Sequence, residues 1–324
     1  MKTQAQLLTL INETISALPY PAVAPELFEP IRYVLSLGGK RIRPVLALMG
    51  ASLFNDEVLP ALKPALGIEV FHNFTLLHDD LMDKAVVRRN KPTVHIKWDD
   101  NTAILSGDAM QIMAYQLITE TPAAHLAEVL TLFSQTALEI CEGQQFDMEF
   151  EKREDVKEEE YLEMIRLKTA VLLGCALKTG AIIAGASEKD ASLLYEFGEN
   201  IGLAFQLKDD LLDVYGDPKL FGKNIGGDIC NNKKTFLLIN ALNLASEEEK
   251  EIMNGQMNLP EFNREAKIAL FTDIFTRTGA KNLCEAKMAD YFNRGMQALE
   301  KVSVSVERKS QLKSLAEDLM HRES

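Results

Sequence analysis

The chain has 324 residues, of which 47% are hydrophobic and 26% charged, and this composition excludes a disordered or collagen-like protein. Lys and Arg total 35 against 48 Asp and Glu, and the resulting net charge of −13 argues against broad nucleic-acid binding. The N-terminal residues lack the apolar core of a signal peptide, and the most apolar long stretch, residues 171–186, is too short to span a bilayer. Four cysteines at least 34 residues apart suggest no disulfide framework, which favours a reducing cytoplasm.

Proline spacing and apolar periodicity predict where the helices lie. Five prolines fall within the first 44 residues, whereas 95 residues without proline separate Pro122 from Pro218. A proline inside a helix costs about 3 kcal/mol, so this long proline-free stretch favours helices. Apolar residues recur at helical spacing over 158–177 and over 191–214, and Ser187 is a predicted N-cap of the second helix. Breaks are predicted at residues 38–39, 55–57, 90–92, 216–227 and 254–260.

No segment shows the bounded alternation that demands a strand. The nearest candidate, residues 302–306, is predicted to be a loop or a helix start. None of the breaks has the composition of a flexible linker. We therefore predict one all-α domain over residues 1–324, a bundle of roughly ten or more helices.

Two acidic motifs carry the strongest chemical signal. Residues 79–83 and 209–213 both read Asp-Asp-x-x-Asp, and each follows an apolar helical run. Helix positions i and i+4 lie about 40° apart and ~6 Å along the axis, so the first and last aspartates of each motif share a face. A solvated acidic helix end would explain one such motif. Two motifs facing each other would instead hold a diphosphate through hard cations such as Mg²⁺, which offset the repulsion between carboxylates.

Basic clusters accompany both acidic motifs. Residues 38–44 place three cations after two glycines, residues 88–91 follow the first motif closely, and residues 222–234 follow the second. Any one of these could be a surface charge cluster. Their repeated pairing with the aspartates favours phosphate binding despite the negative net charge. The spacing of a Walker loop and that of an EF-hand are both absent from the sequence.

These motifs occur together, in this order, in the trans-polyprenyl diphosphate synthase family, which the chain resembles over roughly residues 30–240. The matching segments are GGKRIRP at 38–44, HNFTLLHDDLMD at 72–83, RRNKPT at 88–93, GQQFD at 143–147, KTA at 168–170, FQLKDDLLD at 205–213, GKNIGGD at 222–228 and KKTF at 233–236. The resemblance implies an all-α fold with a deep central cavity, usually in a homodimer. It also implies head-to-tail condensation of isopentenyl diphosphate with an allylic diphosphate, with about three Mg²⁺ ions per site.

The resemblance further implies a role for each matching residue. The Mg²⁺ ligands would be Asp79, Asp83 and Asp209. These would be supported by Asp80, Asp210 and Asp213, directly or through metal-bound water, and by a more remote carboxylate, Asp147. The allylic diphosphate would be contacted by Arg88, Lys168, Lys223 and Lys233. Isopentenyl diphosphate would be bound by Lys40, Arg43, His72 and Arg89, and the developing allylic cation would lie near Thr169 and Gln206. His95 and His125 are interpreted as core histidines with satisfied hydrogen bonds.

Product length is expected to depend on the helix before the first motif. The resemblance makes the residue five positions before Asp79 a length gate, and Phe74 occupies it, ~7.5 Å along the helix, with Phe71 ~12 Å away. Thr75 is small and lies only about 40° from Asp79 around the axis, which leaves the near wall open. This favours geranylgeranyl diphosphate (C20), with farnesyl diphosphate (C15) next. Phe71 or Phe74 could instead simply pack the core.

Two other functions stay open. A class I terpene cyclase would share one aspartate-rich motif but normally carries an Asn/Ser/Glu-type second motif, whereas the second motif here is again Asp-Asp-x-x-Asp. A non-catalytic helical subunit related to prenyl synthases would be expected to have lost the acidic or basic residues that this chain retains. A HEAT-like scaffold would need a repeat of about 40 residues, which the sequence lacks.

Overall fold

A computed structural model describes residues 1–217 and 225–321. The protein is all-α, as predicted. In chain order the helices are α1 (Gln4–Ser16), α2 (Pro25–Ser36), α3 (Ile42–Ser52), α4 (Leu62–Met82), α5 (Val94–Lys97), α6 (Asp100–Ile118), α7 (Leu126–Phe150), α8 (Glu158–Ile165), α9 (Val171–Ile183), α10 (Glu188–Tyr215), α11 (Gly227–Cys230), α12 (Phe236–Leu244), α13 (Glu247–Met257), α14 (Arg264–Arg277), α15 (Ala280–Lys301) and α16 (Val306–His321). A 3₁₀ turn, Leu59–Ala61, precedes α4.

Several predicted boundaries are confirmed. Ser187 caps α10, since its hydroxyl accepts a hydrogen bond from the Asp190 amide at 3.1 Å. Residues 302–305 form a loop that leads into α16. The predicted break at 254–260 begins too early, because α13 continues to Met257. The predicted break at 216–227 falls largely outside the described residues.

One short hairpin was not predicted. Strands β1 (Val87–Arg88) and β2 (Lys91–Pro92) pair antiparallel, with Arg88 opposite Lys91. Arg89 and Asn90 join them with φ of 52° and 60°, the left-handed pair that a tight two-residue hairpin requires. The prediction of no strand was therefore wrong at this turn, where an Arg occupies a position that usually favours Asn or Gly.

The chain divides into two compact units, each made of three segments. The first unit comprises Met1–Ser134, Cys175–Tyr195 and Val302–Leu312, and the second comprises Gln135–Gly174, Glu196–Lys301 and Lys313–Ser324. A single domain over residues 1–324 stays a prediction.

In the first unit, α4 packs most extensively along α6. The three segments of this unit are joined by specific hydrogen bonds. Asp190 accepts from the Ser303 amide at 2.8 Å, and Arg308 donates to the Ser52 carbonyl at 2.7 Å. These contacts fix the framework that carries the first acidic motif at the end of α4.

In the second unit, α12 packs against α15, and the aromatic rings of Phe236, Phe271 and Phe275 lie in the core. The helix predicted over 158–177 is interrupted by a π-helical turn, Arg166–Ala170, between α8 and α9. This unit carries the second acidic motif in the last turns of α10. No helix within residues 1–217 and 225–321 combines the length and the apolarity needed to cross a membrane.

Candidate active site

The first acidic motif ends α4 with helical geometry. The Asp83 amide donates to the Asp79 carbonyl at 2.9 Å, so the last turn continues through the motif, as predicted. Asp80 is 5% exposed, and both its oxygens lie 2.8 Å from Arg88 Nε. Burial raises the pKa of Asp80, although Arg88 opposes this shift. Arg88 Nη2 also lies 3.5 Å from Asp79 Oδ2, so one guanidinium partly neutralises two aspartates.

Arg43 and His72 meet in the first unit, with Nη1 and Nε2 3.1 Å apart. Burial and the neighbouring Arg43 and Arg89 cations hold the pKa of His72 well below its usual range, and burial lowers the pKa of Arg43 to about 10. His72 is therefore neutral, and because a guanidinium can only donate, Nε2 accepts and Nδ1 carries the proton. Arg89 donates to the carbonyl of Gly38, two residues before Lys40. Of the four residues predicted for isopentenyl diphosphate, Arg43 and His72 thus contact each other, and Arg89 contacts the loop that carries Lys40.

A buried network that the sequence did not reveal holds this loop on α4. Arg41 and Glu69 form an ion pair at 2.7 Å, with both side chains 2% exposed. Arg41 Nη2 also donates to the Leu35 carbonyl at 2.5 Å, and Asn73 donates to Glu69 at 2.9 Å. Arg41 has a left-handed φ of 47° and a buried side chain, whereas Lys40 is exposed and Arg43 is half-buried. Arg41 therefore anchors the segment between Lys40 and Arg43 on Glu69 of α4 and on the Leu35 carbonyl.

The second acidic motif is held by partners within its own unit. Asp210 is 3% exposed and accepts a hydrogen bond from the Tyr161 hydroxyl at 2.5 Å. Burial and the Asp228 carboxylate raise the pKa of Asp210 to about 8. Asp213 accepts from the amides of Gly227 and Asp228 at 3.2 and 3.0 Å. Tyr161 lies within the apolar pattern at 158–177, and that local pattern gives no sign of its contact with Asp210.

A cavity of about 150 Å³ in the second unit gathers many of the predicted residues. Its walls include Lys168, Thr169, Gln206, Asp210 and Lys233, with Asp147 and Asp228 beside them. Lys168 Nζ lies 2.6 Å from Asp147 Oδ2, and the Thr169 and Gln206 side-chain oxygens are 3.5 Å apart. Cations, carboxylates and neutral oxygens thus line one small space, which suits a polyanion bound partly through metal ions.

The π-helical turn explains how Lys168 and Thr169 reach this cavity. Such turns insert an extra residue into a helix and often occur at functional sites. A Cβ on Gly143 would lie 2.4 Å from the Lys168 amide nitrogen, and one on Gly202 would lie 2.7 Å from Ala170 Cα. Glycine at both positions therefore lets α7 and α10 approach the turn closely.

The predicted metal ligands are carboxylates, which suit Mg²⁺, but the described residues form no complete metal site by themselves. Within residues 1–217 and 225–321, no three His, Cys, Asp or Glu side chains are arranged to hold a metal by themselves. Mg²⁺ commonly takes one or two carboxylates and completes its shell with water and phosphate oxygens. In the first unit, half-buried Asp79 and the neighbouring Asp83 at the end of α4 offer carboxylate oxygens of this kind, and in the second unit half-buried Asp209 does so. Lys223, predicted to contact the allylic diphosphate, lies outside the described residues.

The aromatic residues predicted to limit product length differ in their surroundings. Phe71 is 1% exposed and packs against Phe133 and Phe74, with ring centroids 5.2 and 5.4 Å away. Phe74 is 9% exposed and also contacts the His78 ring at 4.8 Å. Thr75 donates its hydroxyl to the His72 carbonyl at 2.8 Å. Phe71 is therefore a core residue, whereas Phe74 lies at the border of the aromatic cluster.

Comparison with known proteins identifies the family to which the chain belongs. The polyprenyl synthetase family model matches residues 24–274. The chain belongs to the polyprenyl synthetase family. It is 38% identical over 286 residues to geranylgeranyl diphosphate synthase of Sulfolobus acidocaldarius, covering 86% of this chain and 85% of that protein. It is also 40% identical over 252 residues to geranylfarnesyl diphosphate synthase of Natronomonas pharaonis, covering 72% and 73%.

The fold agrees with this assignment. A crystal structure of a geranylgeranyl pyrophosphate synthase superposes with a TM-score of 0.94 at 43% identity, covering 100% of both chains. The predicted prenyl diphosphate synthase, a transferase, is confirmed and is favoured over a terpene cyclase or a non-catalytic subunit. Enzymes of this family act on isoprenyl diphosphates and are generally Mg²⁺-dependent.

Proposed function

We propose that the chain is a Mg²⁺-dependent geranylgeranyl diphosphate synthase, which extends allylic diphosphates with isopentenyl diphosphate and releases a C20 product. The observation that carries the proposal is the cavity of the second unit, where Lys168, Thr169, Gln206 and Lys233 line one space. The names of the similar synthases support the same reaction.

Ionisation of the allylic diphosphate is the first proposed step. Asp79, Asp83 and Asp209 would hold the Mg²⁺ ions, which neutralise charge on the departing diphosphate. Lys168 and Lys233, which line the cavity of the second unit, would donate to diphosphate oxygens as the carbon–oxygen bond breaks and its electron pair leaves with the diphosphate, and the resemblance gives Arg88 of the first unit a role of the same kind. Thr169 and Gln206 direct neutral oxygens toward the allylic carbon, which becomes positively charged.

Condensation and proton loss follow. Lys40, Arg43, His72 and Arg89 hold isopentenyl diphosphate with its double bond toward the cation. Because neutral His72 accepts from Arg43 and so orients that guanidinium, the other donors of Arg43 are available for phosphate oxygens. The double bond attacks the allylic carbon, and the released diphosphate takes the proton that is lost from the new chain.

A chelation experiment tests the proposed metal role. Condensation of radiolabelled isopentenyl diphosphate with geranyl diphosphate is expected to stop in excess EDTA and to recover when Mg²⁺ is restored. The reason is that carboxylates alone repel a diphosphate. Undiminished product formation after complete chelation would contradict this role, and a circular dichroism spectrum recorded with EDTA controls for unfolding.

The proposed product length rests on Phe74. Its position at the border of the aromatic cluster suits a residue that faces a growing prenyl tail, whereas buried Phe71 suits a packing role. The small Thr75 next to it leaves more room than a second aromatic ring would, which favours C20 over C15.

Phe74→Ala is expected to lengthen the main product, because removing the ring deepens the space available to the tail. Phe71→Ala is the matched control: it is expected to cost roughly 3–5 kcal/mol of stability, as for a core aromatic, with no change in product length. Chromatography of products at matched substrate ratios, with thermal melts of both variants, measures the difference. An unchanged product from Phe74→Ala, together with a large stability loss, would show that a residue other than Phe74 limits product length.

We also propose a homodimer and a cytoplasmic location. Leu105 and Ile112, seven positions apart on α6, are 60% and 62% exposed, and such an apolar pair suits a second copy of the chain.

No disulfide joins the four cysteines, all of which lie within the described residues. Their reduced state suits the cytoplasm.

A further inference from the structure

Lys267 is a buried cation far along the chain from every motif. It lies on α14 with 1% exposure, and its Nζ donates to Asn232 Oδ1 at 2.7 Å. The ammonium also lies 4.2 Å from the centre of the Phe262 ring. Burial lowers the pKa of Lys267. Burying an ammonium costs free energy unless the group is hydrogen-bonded, so the contact with Asn232 stabilises the buried Lys267 side chain.

Asn232 is held at both ends of its side chain. Its Oδ1 accepts from Lys267, and its Nδ2 donates to the Met257 carbonyl at 2.9 Å. The backbone has a φ of 53°, in the left-handed region that Asn tolerates better than most residues. The side-chain contacts therefore fix a backbone conformation that is rare for residues other than glycine.

The conformation of Asn232 sets the course of the segment that follows it. The Lys233 amide donates to the Asp228 carbonyl at 2.9 Å, and Lys234 Nζ lies 3.3 Å from the Asn232 carbonyl. Both lysines line the cavity of the second unit, together with Asn232 itself. Lys267 does not line it. An effect of Lys267 on the cavity would therefore pass through Asn232.

We propose that Lys267 is a positioning residue of the diphosphate site, which holds Asn232 so that the turn presents Lys233 to the bound diphosphate. This inference rests on the proposed function, since it assigns the cavity to the allylic diphosphate. Lys267 makes no contact with substrate in this account.

Lys267→Met tests the proposal, because Met keeps the apolar stem but removes the donor and the charge. We expect the KM for geranyl diphosphate to rise roughly tenfold, as is typical when a supporting hydrogen bond of a site is lost, with kcat nearly unchanged. The KM for isopentenyl diphosphate is expected to stay the same. Inhibition by inorganic pyrophosphate with Mg²⁺ should weaken by a similar factor.

Asn232→Gly separates positioning from folding. It permits the same φ without the side chain, so it should reproduce the rise in KM. If Lys267→Met does not fold, Asn232→Gly decides the question. Lys287→Met is the matched control, since Lys287 pairs with Glu158 at 2.9 Å on the surface of the same unit and should leave both KM values unchanged.

Lys233→Ala distinguishes failure of this inference from failure of the proposed function. If Lys233→Ala raises the KM for geranyl diphosphate and Lys267→Met does not, the inference is wrong and the diphosphate site stands. If Lys233→Ala itself has no effect, the assignment of the cavity is wrong. A double variant of Lys233 and Lys267 should be no worse than Lys233→Ala alone, because Lys267 acts through that lysine. Additive losses, or equal rises in both KM values, would overturn the proposal.

Discussion

Asp79→Asn and Asp209→Asn are each expected to lower turnover by roughly 10³-fold, with little loss of folding stability. Each change removes a proposed Mg²⁺ ligand, and so removes several kcal/mol of stabilisation of the departing diphosphate. Stability should hold because the amide removes repulsion between aspartates at i and i+4. Steady-state rates over a range of Mg²⁺ concentrations measure the effect, and the concentration giving half-maximal rate should rise.

The control for this prediction is Asp100→Asn, which changes an exposed carboxylate in the first turn of α6. That variant should keep the wild-type rate and the wild-type Mg²⁺ dependence. Near-normal turnover in Asp79→Asn or Asp209→Asn would show that the residue concerned is not a ligand. A large drop in melting temperature would instead show that the residue stabilises the fold.

Glu69→Ala is expected to destabilise the protein by about 3–5 kcal/mol. The change leaves the Arg41 guanidinium buried without its partner, and an uncompensated buried charge is far more costly than a lost surface contact. Urea unfolding followed by circular dichroism measures the free energy. The exposed Lys40, in the loop before Arg41, and the half-buried Arg43, in the first turn of α3, should also lose their placement, so the KM for isopentenyl diphosphate should rise.

Two comparisons isolate the buried charge as the cause. Glu163→Ala breaks a more exposed pair with Arg166 and should cost less than about 1 kcal/mol. Arg41→Met combined with Glu69→Met should be more stable than Glu69→Ala, because apolar side chains of similar size can replace a buried pair. Equal losses in the surface and buried variants would contradict this account.

The sequence predicted the helices and the motif residues because both depend on local patterns. Apolar periodicity predicted α10, and several residues of the predicted motifs line the cavity of the second unit, where their roles stay predictions. The π-helical turn at Arg166–Ala170 was not predictable in the same way, since one extra residue leaves the apolar spacing of α8 and α9 nearly unchanged. The β1–β2 hairpin was missed because its turn residues, Arg89 and Asn90, lack the glycine that normally signals it.

Buried charges were the main omission. Glu69 and Lys267 occur in helices where a charged residue normally faces solvent, and their partners lie 28 and 35 positions away in the chain. No local pattern encodes such pairings. The interpretation of His95 as a satisfied core histidine was also wrong. Both its ring nitrogens are buried without a hydrogen-bond partner in the described part of the chain, and the residue is only partly buried.

The most direct test of the proposed function is the product distribution of the wild-type enzyme. The protein is incubated with Mg²⁺, radiolabelled isopentenyl diphosphate and, in separate reactions, a C5, C10 or C15 allylic primer, and the products are separated by chromatography. We expect all three primers to be extended and C20 to accumulate as the main product. Accumulation of C15 with no use of the C15 primer would contradict the proposed length, and failure to extend any primer would contradict the proposed function itself.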